Sequence, residues 1–312
     1  SNVMHLNFSN NEISYIGARA FLQLTNLKIL ELHRNLMSTI GWNTFDNYHS
    51  LLHIDLNYNK LKKLPSRSFT NMGELRTLIL HNQQAPDGMA AIMFDAFYNL
   101  TQLTTVFISK NNFTTFPHPA FSEEDWPNLR YIHADNNKIV NVTEYSSNAF
   151  DGVYLSLYAA RRRLHEGHPF SKLSSVQTLW LSNNNIASIR ENDLCNLTSL
   201  TTLELGSNSL DETTLQAGSF RCLGNLRNLR IGSNHIQYLP VSTYDDVYPP
   251  VVQELDLRSN RLTFLLEGTF SNLTSLFNLI LNSNKIITVE DGTFPDQIGA
   301  IYLQNNIYFD FR

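Results

Sequence analysis

The sequence predicts an α/β repeat fold. It is expected to be a right-handed, horseshoe-like solenoid of about thirteen repeats with a parallel sheet on its concave face. Three observations predict this. The stretch Val176-Gln-Thr-Leu-Trp-Leu-Ser-Asn-Asn184-Asn-Ile186 recurs 24 residues later as Leu200-Thr-Thr-Leu-Glu-Leu-Gly-Ser-Asn208-Ser-Leu210. The same apolar-x-x-apolar-x-apolar-x-x-Asn-x-apolar pattern can be laid along the whole chain. A column of aromatic residues keeps the same period. Self-similarity in this range marks units that each bury one face on their neighbours.

The repeats begin at Val3, Leu27, Leu51, Leu75, Leu103, Leu129, Gly152, Val176, Leu200, Leu226, Val252, Leu276 and Ile298. Apolar residues three and five positions on, such as Leu30 and Leu32 or Leu255 and Leu257, alternate with a period of two and predict a short strand buried on one face. Eight positions on lies an asparagine: Asn11, Asn35, Asn59, Asn111, Asn137, Asn184, Asn208, Asn234, Asn260, Asn284 and Asn306. An interior amide both donates and accepts, so such a column satisfies backbone groups where each strand turns away. Gln83 and Ala160 are expected to break it. Six positions before each following start stand Phe21, Phe45, Phe69, Phe97, Phe170, Leu194, Phe220 and Phe270, with Phe121, Phe150, Tyr244 and Phe294 slightly out of phase. They predict an aromatic spine on the convex side, with nearly all 19 phenylalanines in the core.

The consensus Leu-x-x-Leu-x-Leu-x-x-Asn-x-Leu, with its Phe and with Asn-Leu-Thr-x-Leu at 99, 196 and 272, resembles the 24-residue typical class of extracellular leucine-rich repeats. Toll-like receptor ectodomains, lamprey variable lymphocyte receptors and Slit-type proteins carry it. The Gly-x-Ile-Pro insertion of plant receptor repeats is absent, as are the cysteine clusters that cap most members. The expectation is one solenoid domain over 1–312, a fragment of a longer chain. The resemblance implies recognition rather than catalysis.

Composition agrees with that class. The 312 residues carry a net charge of −5, too mild to make nucleic acid the main partner. No apolar run is long enough to span a bilayer, so membrane attachment would come only through regions outside this chain. Cys195 and Cys222 stand five and four residues before Leu200 and Leu226. Neighbouring repeats stack roughly 5 Å apart, so a bridge between them is geometrically allowed. Two small buried apolar residues are the equal alternative. Asn-x-Ser/Thr sequons at Asn7, Asn99, Asn112, Asn141, Asn196 and Asn272 point to extracellular or lumenal exposure.

No catalytic constellation or cofactor motif emerges. His165 and His168 are spaced i, i+3 beside Gly167 and Pro169, whereas a helical zinc pair needs i, i+4, so no metal site is expected. Outward strand positions offer a surface instead. Phe107, Tyr131, His133, Tyr154, Tyr158 and Trp180 form an expected concave patch for a protein or glycan ligand, since Tyr and Trp commonly anchor recognition. Arg161, Arg162 and Arg163 form an expected basic loop suited to an anionic group. The longer fourth repeat from Gln83 to Phe94 would add a loop on the rim. His5, His33, His53, His81 and His133 all project outward, which suggests pH-dependent binding. Self-association into a matrix or filament is the alternative function.

Overall fold

The computed structural model describes residues 2–85, 88–121, 126–140, 142, 170, 172–190, 192–212, 219–239, 248–307 and 310–311. Tyr154, Tyr158, Arg161, Arg162, Arg163, the His165–His168 pair, the Asn141 sequon, Ala160, Phe150 and Tyr244 lie outside them. The chain divides into two compact units. One comprises 1–138 with 143–175, the other 139–142 with 176–312.

In the first unit, strands β1 (His5–Asn7), β2 (Ile29–Glu31), β3 (His53–Asp55), β4 (Thr77–Ile79), β5 (Thr105–Phe107) and β6 (Tyr131–His133) pair in parallel, each with the next. In the second, β7 (Thr178–Trp180), β8 (Thr202–Glu204), β9 (Asn228–Arg230), β10 (Glu254–Asp256), β11 (Asn278–Ile280) and β12 (Ala300–Tyr302) do the same. Equivalent repeat positions sit opposite one another, for example Leu30 with Ile54 and Leu229 with Leu255. Most strands show a buried central residue between two half-buried ones, as period-two alternation requires.

The asparagine column is the polar frame of both units. The Asn59 amide nitrogen donates to the carbonyls of Leu32 and Leu56, both at 3.0 Å, while its oxygen accepts from the Met37 N–H at 3.1 Å. Asn208 repeats the scheme with Leu181 (3.0 Å), Leu205 (2.9 Å) and the Ile186 N–H (2.9 Å). Each side chain thus ties its own turn to a neighbouring one and satisfies backbone groups that no water reaches. Gln83 does not break the column, contrary to expectation. It is buried, donates to the Leu56 and Leu80 carbonyls at 2.9 and 3.2 Å, and accepts from the Leu61 N–H at 3.1 Å. Glutamine carries the same amide one methylene further out, and the longer fourth repeat accommodates the extra reach.

The outer side of each turn is closed by turns and two-residue strands, with a single short 3₁₀ helix (His118–Phe121) among the described residues. Phe45 stacks on Phe69 at 5.1 Å between centroids, and Phe69, Phe97 and Phe121 continue the spine in the first unit. In the second, Phe270 stacks on Phe294 at 6.1 Å and Phe220 on Tyr248 at 6.2 Å. The expectation that nearly every phenylalanine is core fails at Phe264 and Phe277, which are 50% and 60% exposed. Both sit off the spine column, Phe264 on the exposed side of a two-residue outer strand and Phe277 one residue before β11. Cys195 and Cys222 form a disulfide, which resolves the two readings left open for them.

Candidate functional site

The solvent-facing side of the sheet carries the side chains that the core-facing positions exclude. In the first unit it holds a run of rings. Tyr58 meets His81 edge-on at 6.4 Å, His81 meets Phe107 edge-on at 6.2 Å, and Phe107 stacks on His133 at 4.3 Å with 15° between planes. The Arg34 guanidinium lies 5.0 Å above the Tyr58 ring and ends the run with a cation. The run exists because in-register strands place Phe107 opposite His133, a pairing set by repeat length.

Of the predicted patch, the structure brings Phe107 and His133 into contact and places Tyr131, 39% exposed, on the same strand as His133. Trp180 belongs to the second unit. It is half-buried rather than fully solvent-facing, and lies opposite Glu204 in register. Tyr58 and Arg34 were missed as members. They come from the position seven residues after each repeat start, in the turn three residues beyond the strand, where both residues have positive φ (54° and 51°).

The five outward histidines do lie on this side. His5 Nε2 is 3.4 Å from Glu31 Oε2, and His33 Nδ1 is 3.4 Å from Asp55 Oδ2. Burial pushes the pKa of His53, His81 and His133 below the usual histidine range. Nearby carboxylates, Asp55 and Glu31 for His53, Asp55 and Asp135 for His81, and Asp135 for His133, only partly oppose that. These three rings are therefore neutral near pH 7, which favours stacking over charge pairing.

The second unit presents charge instead. Arg230 donates to Glu254 at 2.8 Å and also to Glu204, bridging three consecutive strands. Arg258 grips the buried Asp256 through Nε at 2.7 Å. The glycine at 232 makes room for the Arg258 side chain. A Cβ on Gly232 would lie 3.0 Å from Arg258 Cγ. The column four residues after each start contains Glu204, Arg230 and Asp256, but Glu254 and Arg258, which complete the cluster, come from other columns.

Among the sequons, Asn7, Asn99 and Asn272 are exposed and Asn112 and Asn196 half-buried. Asn7 stands on β1 and donates to Glu31, while its oxygen accepts from the Ser9 N–H at 2.8 Å. Asn99 and Asn272 lie in the turns outside the sheet.

Comparison with known proteins agrees with this architecture. The model for BspA type leucine-rich repeat regions matches residues 1–126 and 79–160 in six copies, more than half of the chain. A second leucine-rich-repeat model matches 165–210 and 250–306. The chain belongs to the leucine-rich-repeat family. Human "leucine-rich repeats and immunoglobulin-like domains protein 1" is 34% identical over 155 residues, covering 49% of this chain and 14% of that protein. Chicken keratocan is 30% identical over 175 residues, covering 54% and 46%. The chain spans less than half the length of each. Among solved structures, the Toll–Spatzle complex from Drosophila superposes with a TM-score of 0.76 at 21% identity, over 99% of this chain and 38% of that one. The FLRT2 complex with latrophilin 3 and Unc5D superposes at 0.70 and 20% identity, over 92% and 77%. The disulfide, with kinship to a leucine-rich repeat transmembrane protein and a myelin glycoprotein, makes this an extracellular or cell-surface protein.

Proposed function

We propose that the chain is a non-enzymatic recognition module whose first unit binds a protein ligand on the exposed side of its sheet, centred on Phe107, Tyr131 and His133. The observation that carries this is the ring run Tyr58–His81–Phe107–His133, four half-buried rings set side by side on the solvent-facing side of the sheet. Rigid, part-exposed rings lose little side-chain entropy on binding and commonly dominate interface energies. Proteins of the same architecture occur in complexes with protein partners, Toll with Spatzle among them. The test is a binding screen against secreted and cell-surface ectodomains, repeated with Phe107→Ala and Tyr131→Ala. A ligand whose affinity falls about tenfold or more, which is ~1.4 kcal/mol, supports the assignment. Ligands that bind both variants like wild type would refute it.

Self-association is the second reading. One flank of the second unit favours it, because Tyr238, Phe264, Leu266 and Ile287 are between 42% and 56% exposed. The bonds Thr263 N–H to Gln237 O and Ile287 N–H to Thr263 O place their turns side by side. Light scattering over a concentration series decides it. Mass growth that Phe264→Asp abolishes supports assembly; a monodisperse monomer at every concentration removes it.

A further inference from the structure

A second surface of the second unit is formed by different residues from both of these. Asn228, Gln253, Glu254, Ser275, Phe277 and Asn278 line an open depression of about 430 Å³. Its floor ring, Phe277, is 60% exposed and one residue outside the strand, where it contributes nothing to the core. The ring lies against the backbone of Gly299. A Cβ on Gly299 would lie 2.4 Å from its Cε2 and 2.6 Å from its Cδ2 and Cζ, so the ring edge rests where only glycine allows it. Its backbone carbonyl accepts from the Gly299 and Ala300 N–H groups at 2.9 and 2.8 Å, which anchors the segment below.

Around this ring stand groups that can both donate and accept. The side-chain amides of Gln253 and Asn278 and the hydroxyl of Ser275 make no hydrogen bond among the described residues. Asn228 donates to Thr202 Oγ1 at 3.2 Å and keeps its carbonyl oxygen's acceptor capacity. The Glu254 carboxylate is oriented by Arg230 through one oxygen, at 2.8 Å, with the other oxygen left as an acceptor. A purely apolar ligand would desolvate these amides without replacing their water. An anion would meet Glu254. A cation would find a single carboxylate already engaged by Arg230.

The chemistry that matches all six groups is a sugar ring. A pyranose presents weakly positive C–H groups to the negative face of an aromatic ring, and hydroxyls or an acetamido group at its rim to amides. The volume lies within the ~300–1,000 Å³ range of small-ligand clefts and suits one or two rings. We propose that this depression is a saccharide-binding site for uncharged pyranoses, with Phe277 as the platform and Gln253, Asn278 and Asn228 as the polar rim. The sugar can come from a separate glycoconjugate or from a glycan attached at the nearby Asn272 sequon. The site is independent of the ring run proposed for protein binding.

The test is a titration with N,N′-diacetylchitobiose and with maltose, read by saturation-transfer NMR. It uses wild type and Thr274→Ala, which removes the Asn272 sequon. Saturable binding of either sugar in either protein, at about millimolar affinity, is expected. Phe277→Ala should weaken it at least about tenfold, Phe277→Tyr should hold it within about threefold, and Asn278→Ala should weaken it while leaving the platform. Binding seen only in Thr274→Ala identifies the attached glycan as the resident ligand. Phe107→Ala should leave the titration unchanged, which separates this site from the protein-binding surface. No saturable binding of either sugar in both proteins overturns the proposal, as does binding that Phe277→Ala and Asn278→Ala both leave intact.

Discussion

Asn59→Ala tests whether the amide column, rather than the leucine core alone, holds the turns together. Asn59 is fully buried, and its three shorter hydrogen bonds, to Leu32, Leu56 and Met37, reach both its own turn and a neighbouring one, beside a longer one to the Asn57 carbonyl at 3.4 Å. The substitution does not orphan all the groups equally. Leu32 O still accepts from Asn35 at 3.0 Å, and Leu56 O from Gln83 at 2.9 Å. The Met37 N–H, however, loses its acceptor inside a buried turn. Three bonds at about 1 kcal/mol each, plus ~1–3 kcal/mol for the stranded donor, less what the carbonyls retain, gives a loss of about 3–5 kcal/mol. Asn11 supplies an internal control. It occupies the same repeat position and donates to Phe8 O at 3.0 Å, but it is exposed, so water replaces the lost bonds. Asn11→Ala should cost less than about 1 kcal/mol. The assay is urea unfolding followed by circular dichroism, with hydrogen exchange at Met37 as a local readout. A shift for Asn59→Ala no larger than that for Asn11→Ala would refute the reasoning and leave packing as the whole explanation.

Three further outcomes are expected. Replacing Cys195 and Cys222 together by serine opens a loop with a sequence separation of 27, and should lower stability by about 3–4 kcal/mol in the chain-entropy account; equal melting temperatures with and without reductant would contradict it. Arg230→Met leaves the Glu204 and Glu254 carboxylates, on the strands either side of β9, without the cation between them, but the guanidinium side chain is 40% exposed. The cost should therefore be about 1 kcal/mol or less and shrink in high salt, and a salt-independent loss would point to packing instead. Finally, His53, His81 and His133 have folded-state pKa values below their unfolded ones, so the unfolded chain binds protons first as the pH falls. Their contribution should be fully present above the ordinary histidine value near 6.5 and be lost as the pH drops below it through the depressed values. A triple substitution by glutamine should flatten that slope. Ligand affinity at about pH 5.5 should likewise fall below that at about pH 7.5 if charge on His133 disrupts its stack on Phe107, whereas equal affinities would disprove that link.

The sequence by itself determined the strand positions, the core residues, the amide column and the face to which most side chains point. Each of these follows from a local period, two along a strand and about 24 from turn to turn, and a period is visible without coordinates. The Arg230–Glu204 bond joins residues that register sets opposite each other, whereas the Arg230–Glu254 bond runs diagonally, past the Asp256 that register places opposite Arg230. Tertiary structure decided what depends on reach and packing rather than period. Gln83 could be recognised as a member of the amide column only when its longer arm was seen to meet Leu56 and Leu61. Whether Cys195 and Cys222 bond depended on a separation across the stack of 5.1 Å between Cα atoms, which sequence spacing permits but does not require. Phe264 and Phe277 read as core by residue type and proved exposed, because burial is set by the column a side chain occupies and not by its hydrophobicity. The depression beside Phe277 arises from residues 228, 253–254 and 275–278, three separate turns brought together by the stacking itself, with Gly299 supplying the room for the ring.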